Sequence, residues 1–221
     1  MIELPEIPDS IKRIRIDIGL SFDAPHAKDW ISEGDDIFVF GFEPVPENCK
    51  YILDEIKSDR FHLYECAVSD TNENRKFNVT KHNTSIEKDR GHSSFYEPSD
   101  SSPFSIDYSL DVRCITLSSF LDLIDWDRFE YIDYVKIDAQ GHDFKIIKIA
   151  RPYFDRLPRI KLESTTQAAY KNSPDSDKFE IANFMSENGY TRLYRNGASV
   201  PEGAETVDHF YERRILPAGL R

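Results

Sequence analysis

No stretch of the chain approaches the roughly 18 apolar residues of a membrane span, so no transmembrane helix is expected. Basic residues are in deficit, 28 Lys and Arg against 40 Asp and Glu. Phosphate binding demands a basic surface, so this balance argues against nucleic acid as the main substrate and against a polybasic membrane anchor. Cysteine is scarce: Cys49, Cys66 and Cys114 are widely spaced and odd in number. No CxxC or Cys/His zinc spacing is present, and the three read as reduced, largely buried thiols of a cytosolic protein. The segment from Met1 to Pro8 lacks a basic region and an apolar core, so it does not read as a secretory signal. Glycine is missing where a phosphate cradle would need it. The first strand is followed by one glycine, with neither G-x-G-x-x-G nor G-x-x-x-x-G-K-S/T.

What is present fits one α/β domain. The 221 residues are enough for a sizeable core, and residues 1–221 read as a single unit without internal repeats. Strand and helix patterns alternate, which predicts βαβ units and a mainly parallel sheet. Strands are expected at 13–18, 37–42, 61–68, 134–138 and 160–163, with a shorter one at 112–116. A helix is expected from Asp23 to Glu33, stopping at Gly34, with Pro25 in its first turn. A second opens at Pro46, with Cys49, Ile52, Leu53 and Ile56 as its apolar stripe. Others are expected from Ser119, over 144–150 and over 177–188, where Gly189 is the stop. Residues 190–194 and 207–213 read as a closing antiparallel pair. Between 69 and 111 the apolar pattern breaks up. A short strand is expected at 75–80, and 81–110 reads as a long irregular insertion, a candidate substrate lid.

In an open α/β sheet, ligands bind beyond the carboxyl ends of the strands. Five of the predicted strands end on an acidic or polar group: Asp17 with Gly19, Ser21 and Asp23; Glu43; Ala67, Val68, Ser69 and Asp70; Asp138 with Gln140, Gly141 and His142; and Glu163. Five such endings are more than chance supplies. A glycine after the first strand lets the backbone approach a ligand closely. A carboxylate ending the second can accept both hydroxyl protons of a ribose. Glu43 follows Gly19 by 24 residues, near the spacing of roughly 20 in dinucleotide folds. A pyrophosphate is disfavoured beside Asp17, Asp23 and Asp70, whereas a cationic cofactor is tolerated there.

Other roles are open at several positions. Asp23 suits a helix cap as well as a ligand, and Gly141 a plain turn. His142 suits a capping or solvent-facing residue as well as a base. His82 and His92 suit surface positions as well as substrate contacts.

The order I-D-I-G, F-G-F-E-P, A-V-S-D, V-K-I-D-A-Q-G-H-D and I-K-L-E resembles the FkbM-type methyltransferases over about residues 13 to 165. The paired F-E-P and K-I-D-x-x-G-x-D/E segments are its most specific part. The resemblance implies a Rossmann-like class I methyltransferase fold: a mainly parallel seven-stranded sheet with a C-terminal antiparallel pair and helices on both faces. It also implies methyl transfer from S-adenosylmethionine, usually to a hydroxyl oxygen. Carried over by position, Asp17 and Gly19 match the cofactor loop, with Ser21, Asp23 and His26 near the methionine moiety. Glu43 matches the ribose carboxylate, Ser69 and Asp70 (after Ala67 and Val68) the adenine site, and Asp138 the methyl-transfer site. The pattern departs in two places: Asp23 stands where a second glycine is frequent, and Gln140 where a glutamate is usual.

The expectation is therefore O-methylation of a sugar hydroxyl or another small-molecule or glycan acceptor in the cytoplasm, with Asp138 as base, His142 as second candidate and Glu163 as partner. His92, Ser93, Ser94 and Tyr96 are expected to shape the acceptor pocket. A divalent metal shared by Asp138 and Glu163 is left open. Two other readings stay open: an NAD-dependent oxidoreductase or epimerase, and a non-catalytic S-adenosylmethionine-binding module. The oligomeric state is not legible, nor is whether the chain is one domain of a larger glycan-processing polypeptide.

Overall fold

The first strand sets the layering. In β1 (Arg13–Ile18), Ile14, Ile16 and Ile18 alternate with Arg13, Arg15 and Asp17, so the strand presents an apolar face and a charged one. A computed structural model, describing residues 2–84, 90–165, 169–171, 178–193 and 206–216, shows where each face goes. The isoleucines enter the larger core. Arg15 lies on the opposite face, under α1 (Pro25–Glu33), paired with Glu33 at 2.6 Å and with Asp133 at 2.7 Å.

The remaining elements follow in βαβ order. β2 (Ile37–Phe42) is buried along its whole length and leads into α2 (Pro46–Glu55), which starts, like α1, on a proline. β3 (Phe61–Tyr64), β4 (Ala67–Ser69), β5 (Asn74–His82), β6 (Phe104–Thr116) and α3 (Leu117–Leu121) come next. β7 (Tyr134–Ile137), α4 (Asp143–Ile149), a 3₁₀ turn (Arg151–Arg156) and β8 (Arg159–Thr165) precede α5 (Lys178–Glu187), β9 (Tyr190–Leu193) and β10 (Thr206–Arg213).

The main sheet has seven strands in the order β3-β2-β1-β7-β8-β10-β9. The first five run parallel, and β10 is antiparallel to both of its neighbours. Helices α1 and α2 pack on one face through Ala27, Trp30, Ile52 and Ile56. Helices α3, α4 and α5 pack on the other through Phe120, Phe144, Ile147, Ile181 and Met185. This is the expected Rossmann-like α/β fold with a closing antiparallel pair.

Four local expectations change. The predicted strand 61–68 is broken. Cys66 N–H turns back to the Tyr64 carbonyl at 2.9 Å, and β4 leaves the main sheet to pair with β6. The segment 81–110 is not irregular throughout: β5 and β6 form an antiparallel ribbon from Asn74 opposite Arg113 to His82 opposite Phe104. The outer half of β6 is exposed or half-buried, so it carries little hydrophobic signal. α3 starts at Leu117, two residues early, because Thr116 caps it by accepting from Ser119 N–H at 3.1 Å. α1 starts after Ala24, a left-handed residue, and no side chain caps it; Asp23 is exposed and is not its cap. Residue 177, the expected start of the last helix, lies outside the described residues, as does residue 194.

Candidate active site

The carboxyl ends of β1, β2 and β7 and the start of β4 converge on one cleft. Gly19 sits just past β1 with φ +72°, and a Cβ there would lie 1.9 Å from the Asp138 carbonyl oxygen. Only glycine fits, so the ends of β1 and β7 come into contact and make the cleft floor. The cleft holds about 560 Å³ of free space, counting its open mouth. Glu43 and Pro44 line it from β2, Ala67 and Val68 from β4, and Asp138 to Gln140 from the loop after β7. Ser93 and Phe95 close it from the insertion.

Glu43 is buried, with 4% of its surface exposed, yet lines this cleft. One carboxylate oxygen accepts from Val45 N–H at 3.0 Å and Asn48 Nδ2 at 3.2 Å; the other accepts from Ser21 N–H at 3.1 Å. Burial raises its pKa to about 7 against these hydrogen bonds. Ser21 has φ +59°, a left-handed turn that brings its N–H to the carboxylate.

Asp138 sits at the other end of the cleft. Gln140 Nε2 donates to its Oδ1 at 2.6 Å and to Glu163 Oε2 at 2.9 Å, so one amide bridges two carboxylates. The other end of that amide is fixed too, since Tyr170 Oη donates to Gln140 Oε1 at 2.7 Å. Burial pushes Asp138 up, but Lys136, then hydrogen bonds with Glu163 and Gln140, outweigh it and hold the group below its ordinary range. Behind it, Asp143 accepts from Ala139 N–H at 3.1 Å and Glu163 N–H at 3.2 Å, stitching this loop to β8. Burial, with the charge of Asp138 alongside, pushes Asp143 well above the usual carboxylate range.

The acidity of the strand ends is largely balanced from within. Buried Lys136 lies 3.2 Å from Asp17 and 3.6 Å from Asp138. Burial alone would lower its pKa, but Asp17 and Asp138 hold it above its ordinary value. Asp17 has both oxygens buried and faces Lys136 without hydrogen-bond geometry. One buried lysine thus balances the carboxylates of both Asp17 and Asp138.

Other predicted site residues fall elsewhere. His142 is fully buried and absent from the cleft wall, so it is not solvent-facing. Its Nε2 lies 3.0 Å from Ser69 Oγ and 3.2 Å from Asp70 Oδ1, and its Nδ1 lies 3.3 Å from Tyr96 Oη. Burial lowers it to about 4 despite Asp70, so the ring is neutral at pH 7. Nε2–H then donates to Asp70, which also takes Arg75 at 3.1 Å. Ser69, Asp70, Tyr96 and His142 thus form a partly buried network behind the site. His26 accepts from Lys161 Nζ at 3.2 Å, away from the cleft wall. Ser94 Oγ donates to the Gln140 carbonyl at 2.7 Å, and His92 stacks on Phe104 at 3.7 Å. Of the insertion residues expected at the acceptor, Ser93 lines the cleft.

Three contributors had no role assigned from the sequence. Lys136 had a signal, a lysine inside an otherwise apolar strand. Phe95 looked like any core aromatic. Tyr170 lies 30 positions from Gln140, and no spacing rule connects them. Among the described residues no group of three His, Cys, Asp or Glu side chains converges to hold a metal. No helix among them is long and apolar enough to cross a membrane.

A seven-stranded sheet in this order, with one antiparallel strand inserted beside β8 and the cleft at the strand ends, defines a Rossmann-like class I methyltransferase fold. The chain belongs to the FkbM methyltransferase family: the family model described as the methyltransferase FkbM domain matches residues 19–192. Among solved structures it is similar to a methyltransferase FkbM from Methylobacillus flagellatus KT, at 15% identity and TM-score 0.49 over 92% of this chain. The chain spans 44% of that structure's length. It is also similar to a precorrin-6y C5,15-methyltransferase from Geobacter metallireducens GS-15, at 14% identity and TM-score 0.45, covering 91% of this chain and 79% of the other. No curated protein matches the chain.

Proposed function

We propose that the chain uses S-adenosylmethionine to methylate a hydroxyl oxygen of a sugar or glycan in the cytoplasm. The observation that carries this reading is that Glu43 and Asp138 face one cleft from opposite ends of a floor pinned at Gly19. Glu43 keeps acceptor capacity for one ribose hydroxyl, since its oxygens take three donors and a carboxylate has about four lone-pair sites. Val68, Phe77 and Phe95 offer apolar walls for the adenine. Asp138 and Gln140 stand where the methionine end and the acceptor would meet. Buried thiols suit a reducing compartment: burial raises Cys66 to about 12 and Cys114 to about 11.

When bound, S-adenosylmethionine supplies a methyl group on a sulfonium. The chain's own residues orient the acceptor and take its proton. Asp138 accepts a hydrogen bond from the acceptor hydroxyl and holds the oxygen in line. As the C–O bond forms, that proton becomes far more acidic than a carboxylic acid, so a carboxylate below its ordinary range suffices as base. Glu163 is held beside it by Gln140. The bridging position between the two carboxylates is filled by the Gln140 amide.

The test is calorimetry with S-adenosylhomocysteine and NAD, followed by transfer of labelled methyl groups to a panel of glycans. Binding of S-adenosylhomocysteine but not NAD, with label on a hydroxyl, is expected. Preference for NAD would discard the reading. Cofactor binding without transfer to any acceptor would favour a binding module, a reading drawn from Asp138 being already tied to Lys136 and Gln140.

A further inference from the structure

Lys136 is a lysine in the middle of a central strand, 5% exposed. Its ammonium donates to the Gly19 carbonyl at 2.5 Å and reaches the Ile18 carbonyl at 3.4 Å. Asp17 lies 3.2 Å away and Asp138 3.6 Å. Its protons thus go to two backbone carbonyls, one of them in the cofactor loop, while Asp17 and Asp138 pair with its charge. A buried charge survives only when paired and hydrogen-bonded, and these groups supply both.

The same spot is where β1 and β7 touch. Gly19 presses on the Asp138 carbonyl. Asp138 N–H donates to the Ile18 carbonyl at 3.1 Å, and Gly19 N–H to the Phe42 carbonyl at 2.9 Å. Two residues on, Ser21 N–H reaches Glu43. A shift of the Gly19 peptide would therefore move the Glu43 contact and the Asp138 loop together. We propose that Lys136 is a positioning residue: its buried ammonium ties the cofactor loop to the methyl-transfer carboxylate, so that the two ends of the cleft keep one fixed separation. The inference rests on the methyltransferase reading of the cleft. Asp17 is its buried counter-charge.

The test compares Asp17→Asn with Lys136→Met/Asp17→Asn in the full chain. The double variant removes one positive and one negative charge and keeps a side chain of similar length. Two quantities are read: S-adenosylhomocysteine affinity by calorimetry, and amide exchange at residues 19–21 and 138–140 without ligand. A residue that only fills space would leave both unchanged between the two variants. The expected result is binding weaker by about tenfold to a hundredfold in the double variant, the loss typical of a hydrogen bond to a charged group. Exchange should rise in both segments together, while Val39 and Phe40 of β2 stay protected. Equal affinity and equal protection in the two variants would overturn the proposal. If the wild type itself binds no S-adenosylhomocysteine, the methyltransferase reading fails, and the exchange comparison alone decides on Lys136. If the double variant does not fold, Lys136→Gln in the wild-type background provides the same two comparisons.

Discussion

Replacing Glu43 by glutamine separates the cost of burying a charge from its use in binding. The wild-type carboxyl goes from 4.5 to about 7 on folding, through burial. A folded pKa above the unfolded one means that the native state holds more protons between these values, so stability falls as pH rises through that window. At about 1.4 kcal/mol per pH unit, the charge costs about 3 kcal/mol above pH 7, and about 1 kcal/mol at pH 5. Glutamine carries no such cost. It keeps the oxygen that serves Val45 and Asn48 but turns an NH₂ toward Ser21 N–H, a mismatch costing about 1–3 kcal/mol at any pH. The variant is therefore expected to be less stable than wild type at pH 5, and near or above it at pH 8. The difference between the two mutational effects is about 2–3 kcal/mol, whatever the mismatch costs. Urea unfolding of both proteins at both pH values, with matched m-values, measures it. The same mutational effect at pH 5 and pH 8 would refute a burial-raised Glu43.

Further outcomes follow from the same geometry. Asp138→Asn should lower methyl transfer by about 10²–10⁴-fold while S-adenosylhomocysteine affinity changes little; near-normal turnover would remove Asp138 as base. Gly19→Ala puts a methyl group 1.9 Å from the Asp138 carbonyl oxygen, and thermal unfolding should show a loss beyond the ~1–2 kcal/mol of left-handed strain alone. Burial lowers His142 from 6.5 to about 4; the unfolded chain then takes up the extra proton, so this contribution is lost as pH falls from 6.5 toward 4. In His142→Phe, stability measured from pH 7 to 4.5 should depend less on pH; an unchanged slope would contradict a neutral buried ring. EDTA should leave turnover unchanged, and loss of activity restored by a divalent cation would reopen the metal question.

The strand-end rule located Gly19, Glu43 and Asp138, because a position at the end of a strand constrains a side chain even when its neighbours are unknown. It did less well where direction decides. His142 follows Asp138 by four positions, yet it turns into the network of Ser69, Asp70 and Tyr96. Gln140, a departure from the family pattern, acquires a reason once Glu163 and Tyr170 are placed around it. With carboxylates on either side, a neutral donor there satisfies both, whereas a glutamate would add a third acceptor. The β5–β6 ribbon was hidden because most side chains in the outer part of β6 are not buried and follow no alternation. The parallel core was legible because β1, β2, β7 and β8 each carry enough buried aliphatic or aromatic residues to declare themselves.

The most direct test of the central claim is a crystal structure with S-adenosylhomocysteine bound. The account predicts a ribose hydroxyl donating to the Glu43 carboxylate and the sulfur facing Asp138 and Gln140. A ligand seated outside this cleft, or a ribose that does not touch Glu43, would contradict it.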